Sequence, residues 1–105
     1  MKHKFLNDTL YLYFYGDLDH HSILNLKDIT IDLINSYQPK CVKMDFEEVE
    51  FIDSTGIGYV LARYKQLKSM NCNLILCNLS ELNQTIFHMS GIFQIMKHEK
   101  NGEKV

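Results

Sequence analysis

The sequence predicts an α/β fold, a mixed β-sheet with helices packed on it, in the order β-β-α-β-α-β-α-β. Two observations carry this. Segments of two-residue apolar alternation, TLYLYFYG (9–16) and CVKMDF (41–46), are each followed by a segment whose apolar residues recur at helical spacing. Strands separated by single helices imply parallel neighbours joined by right-handed crossovers, and a short opening segment adds an antiparallel edge. A chain of 105 residues suits one domain spanning 1–105 and leaves little room for two.

The first element, HKFLN, is a short strand that turns at Asn7-Asp8. In the second, Leu10, Leu12 and Phe14 alternate with Tyr11, Tyr13 and Tyr15, and Gly16 is expected to end it. Asp19 or Ser22 can cap the first helix, whose apolar residues are Leu26, Ile29, Leu33, Ile34 and Tyr37, and Pro39 stops it. The next strand turns Val42, Met44 and Phe46 to one side. The second helix places Ile57, Val60, Leu61, Tyr64 and Leu67 on one stripe, with Arg63, Lys65 and Lys68 expected on its surface. NLILCNL reads as a strand buried on both faces. Ser80 caps a short helix carrying Leu82, Ile86 and Met89, and Gly91 ends it. Ile92 to His98 is expected to be the last strand, before a polar tail, NGEKV.

Composition excludes several classes of function. With 46% hydrophobic and 23% charged residues the chain is globular rather than disordered. A formal charge of −2 without a Lys/Arg cluster argues against direct nucleic-acid binding. No apolar run is long enough to span a membrane, and MKHKFLNDT lacks the apolar region of a signal peptide. Cys41, Cys72 and Cys77, odd in number and without CxxC spacing, read as reduced thiols of a cytoplasmic protein.

The chemistry concentrates in FIDSTGIGYVLARYKQ, residues 51–66. A protease aspartate fits poorly, because a residue separates Asp53 from the Thr-Gly pair and helical spacing follows where that fold is all β. Ser54 as a nucleophile needs a base, yet His3, His20, His21, His88 and His98 are scattered and no G-x-S-x-G elbow is present. His20 and His21 are adjacent rather than four apart, so no metal site is expected, and Gly56 and Gly58 lack the lysine of a phosphate-binding loop, so no cofactor is. Capping by Asp53 or Ser54 satisfies free helix N–H groups, but two glycines in a first turn each cost about 1 kcal/mol of helix propensity. Small residues and a hydroxyl at an exposed helix start describe a docking site.

The same stretch resembles the signature of the STAS domain family, in particular its bacterial anti-sigma factor antagonists. GDLDHHS (16–22) is similar to the strand-to-helix turn of the sporulation type more than of the general-stress type. VKMDFEEVEFID resembles the central strand and its exit, and LCNLSELNQTIFHMSGIFQIMK (76–97) the final helix and strand. Relatives often continue with another helix where only Asn101–Val105 follow here.

The resemblance implies a binding switch rather than an enzyme. In the family the serine after the aspartate, Ser54 here, is phosphorylated by an ATP-dependent anti-sigma factor serine kinase, and a serine phosphatase resets it. The unphosphorylated form binds the anti-sigma factor and frees the sigma factor. The resemblance places Asp19, His20, Asp53, Ser54, Thr55, Gly56 and Gly58 on the partner-binding surface, with Thr55 the lesser acceptor. The alternative is a STAS interaction module of another sigma or stress-signalling circuit.

Overall fold

The structure, a computed structural model, describes residues 1–100; the polar tail at 101–105 lies outside the described residues. The elements run β1 (Lys2–Leu6), β2 (Thr9–Leu18), α1 (His20–Tyr37), β3 (Cys41–Ile52), α2 (Ser54–Ser69), β4 (Asn73–Cys77), α3 (Glu81–Met89), a 3₁₀ turn (Ile92–Gln94) and β5 (Lys97–Glu99). They form a five-stranded sheet in the order β1-β2-β3-β4-β5, antiparallel only between β1 and β2. Asn7 and Asp8 close that hairpin with φ of 52° and 61°, the left-handed pair that a two-residue hairpin turn needs.

Register explains the core. Leu10 pairs with Val42, which pairs in turn with Leu74, and Leu12 with Met44, which pairs with Leu76. These residues are buried together with Ile23 and Ile34 of α1, Val60 and Leu67 of α2 and Phe87 of α3. All three helices therefore cover the same face of the sheet, as right-handed crossovers between successive neighbours require. Phe14 meets Phe46 and Tyr59, and Phe46 meets Phe87, so one aromatic chain links two strands to two helices.

Several local expectations are corrected. Gly16 does not end β2; with φ of 76° it sits in a run with two register shifts, beyond which β2 still pairs with β3 to Leu18 and Ile52. Such bulges re-aim a strand without ending it. The last strand is only Lys97–Glu99, because Ile92–Gln94 turns as a 3₁₀ helix behind Gly91 (φ 82°). On α3 the buried positions are Asn83 and Phe87, leaving Leu82 and Met89 exposed, and Ile29 of α1 is exposed as well. Arg63 is not on the surface: it is 7% exposed and its guanidinium lies 5.7 Å from the Tyr59 ring. Burial lowers its pKa, and the Tyr59 phenol opposes this.

Candidate docking site at two helix starts

The site is built by two strand exits that copy each other. Leu18 ends β2 opposite Ile52, which ends β3, and each strand is followed by one aspartate and then a helix. Asp19 caps α1 by accepting from the amides of His21 and Ser22, both at 3.1 Å, while the Asp19 amide donates to Ser22 Oγ at 3.1 Å. This reciprocal arrangement satisfies three donors at the helix entry. The Ser22 amide is the largest cause holding the Asp19 carboxyl below its ordinary range, against a smaller desolvation effect. Asp53 caps α2 by accepting from the Gly56 amide at 3.0 Å. Its own amide donates to the Leu18 carbonyl at 3.2 Å, stitching one exit to the other.

Of the two caps open for each helix in the sequence, the aspartate is the one used. Ser54 is thereby left as the first residue of α2, exposed, with no hydrogen bond to its hydroxyl among the described residues. Thr55 beside it is half-buried. His20, the first residue of α1, is exposed, and no histidine hydrogen-bonds Ser54 among the described residues. No group of three or more His, Cys, Asp or Glu is placed to hold a metal ion among the described residues.

The two glycines part company. A Cβ on Gly56 would lie 2.5 Å from the Leu18 carbonyl oxygen and 2.8 Å from Ile52 Cγ2, so glycine here lets the first turn of α2 sit on the strand exits. Gly56 is buried by its own chain and underlies the site rather than facing outward. Gly58 is exposed, with nothing within 4 Å of where a Cβ would stand. Behind the site, Tyr59 and Thr30 share a buried hydrogen bond that ties α2 to α1. Thr30 Oγ1 also donates to the Leu26 carbonyl at 2.7 Å, so the phenol supplies the proton between them.

Asp17 and Phe51 border the site, although the sequence did not single them out. They are opposite one another in the paired extensions of β2 and β3, one residue before the strand ends, and both are exposed. No alternation marks them, because between Glu47 and Ile52 only Val49 and Ile52 are buried.

This layout joins an exposed hydroxyl, two capping carboxylates and two helix starts, and the fold that carries it recurs in known proteins. The STAS domain model matches residues 2–104. The chain belongs to the STAS domain family. Among STAS relatives, an anti-sigma F factor antagonist from Paenibacillus polymyxa is 28% identical over 81 residues, covering 77% of this chain and 69% of that protein. Two solved STAS structures are each 26% identical and cover 98% of this chain. One is the anti-sigma factor antagonist SpoIIAA in its unphosphorylated form, with a TM-score of 0.82 over 90% of its chain. The other is the Bacillus cell fate determinant SpoIIAA in the phosphorylated form, with a TM-score of 0.75 over 94% of its chain.

Proposed function

We propose that this protein is an anti-sigma factor antagonist, a single cytoplasmic STAS module that binds an anti-sigma factor and is switched off by phosphorylation of Ser54. The observation that carries the reading is the placement of Ser54, an exposed and unoccupied hydroxyl directly behind a capping aspartate at a helix start. That a relative is known in unphosphorylated and phosphorylated forms supports it. In this reading the partner is an ATP-dependent serine kinase as well as an anti-sigma factor, and a serine phosphatase restores the active form. The protein binds rather than catalyses.

Electrostatics make the switch local. Phosphoserine carries roughly −1.5 to −2 charges at neutral pH. The α2 dipole and free first-turn N–H groups tolerate that charge within the domain. A partner surface shaped for a neutral hydroxyl meets it as a desolvated like charge beside Asp53 and Asp19. The test is incubation with the candidate anti-sigma kinase and ATP, followed by mass mapping. Phosphate is expected on Ser54 and absent in Ser54→Ala, which keeps its partner binding. Phosphate on Thr55 at normal rates in the wild type would remove the assignment.

A further inference from the structure

We propose that the groove at the far end of α2 binds a small amphipathic anion, an apolar body carrying one carboxylate or phosphate head. The groove has a volume of about 490 Å³ and lies between the last turn of α2 and the starts of β4 and β5. It exists because β5 pairs only with Ile75–Cys77, so Asn73 and Leu74 have no strand beside them on that edge. Its volume lies within the range that suits a small molecule rather than a single water.

The lining sets the ligand chemistry. Leu74, Ile95 and Met96 give it an apolar floor, and Ile95 is 50% exposed there. Lys68 and Lys97, both exposed, stand at its rim, and the Lys68 ammonium lies 5.9 Å from the Tyr64 ring centre, which holds it over the apolar wall. Among the described residues, no aspartate or glutamate lines it. A chain of net charge −2 thus keeps a concave surface that, among the described residues, carries two cations and no carboxylate. An apolar ligand alone leaves those charges unused, and a bare inorganic anion leaves the floor unfilled. A molecule with both parts uses both. Lys68 follows Ser54 by fourteen residues, about 20 Å along α2, so this site is separate from the docking site.

The experiment is a titration of the isotope-labelled full chain with octanoate and with octyl phosphate, followed by amide chemical shifts. Octanol and acetate are controls for the body and the head alone. Shifts are expected at Tyr64–Ile75 and Ile95–Lys97, and the tighter of the two probes identifies the head group. Lys68→Glu with Lys97→Glu is expected to weaken binding about tenfold, and added salt to weaken it in the wild type. Both lysines are exposed, so a well-dispersed spectrum of the double variant checks that its fold is kept. Octanol binding as tightly as octanoate, shifts centred on the exposed Leu82 and Met89 instead, or no shifts at millimolar probe would each overturn the proposal.

Discussion

Two glycines two residues apart do opposite work, and only their surroundings show it. Gly56 is required by contact, since any Cβ there meets the Leu18 carbonyl and Ile52. Gly58 is under no such constraint. Gly56→Ala is therefore expected to cost about 1–3 kcal/mol through overpacking, whereas Gly58→Ala should add up to about 1 kcal/mol of helix stability. Urea unfolding of the two variants checks this, and equal midpoints would show that the first turn of α2 yields to a methyl group. The same pair shows where sequence reading stops. Small residues at a helix start were legible in FIDSTGIG, but which glycine faces the fold and which faces solvent depends on β2, a strand more than thirty residues away.

At the scale of elements, α1 and α2 are held together behind the site by the Thr30–Tyr59 hydrogen bond. Burial pushes the Tyr59 phenol up to about 12, against a smaller opposing effect from the Arg63 charge. The unfolded phenol ionises near 10. Between those values the unfolded state has lost the proton that the folded state retains, so stability falls as pH rises. The loss runs from about pH 10 to 12 and totals about 2–3 kcal/mol. Tyr59→Phe should cost about 1 kcal/mol at neutral pH and flatten this alkaline decline. Denaturant midpoints from pH 8 to 11.5 separate the two effects, and parallel declines in wild type and variant would exclude Tyr59 as the cause. Most elements were legible because period and caps agree, as in Asp19-x-x-Ser22 before α1. The ends of β2 and β3 were not. Gly16 and the glutamates of FEEVEF imitate a turn in sequence, and only the pairing of two bulged strands keeps them extended. Arg63 was misplaced for a similar reason, because a charged residue between apolar neighbours reads as surface until the Tyr59 ring is found beneath it.

For the molecule as a whole, the proposed switch adds charge without asking the fold to move. Phosphorylation of Ser54 is expected to weaken anti-sigma partner binding by about 2–5 kcal/mol while far-UV circular dichroism stays unchanged. The α2 dipole contributes about 0.3–1 kcal/mol in favour of the added charge. Calorimetric titration of both forms measures the first half. Unchanged affinity would remove the electrostatic switch, and loss of helical signal would mean that modification acts by unfolding the site.

The sheet order β1-β2-β3-β4-β5 is also the order of synthesis. A nascent chain leaving the ribosome never needs a strand that has not yet been made. Each new strand docks on an edge already present, and each helix closes over the pair just formed. Domains emerge from the N-terminus at roughly 5–20 residues per second, which is slow beside the microsecond formation of hairpins and helices. Assembly can therefore keep pace with translation. The two aspartate-capped exits are complete once α2 has emerged, while the groove beside β5 waits until β5 itself has been made.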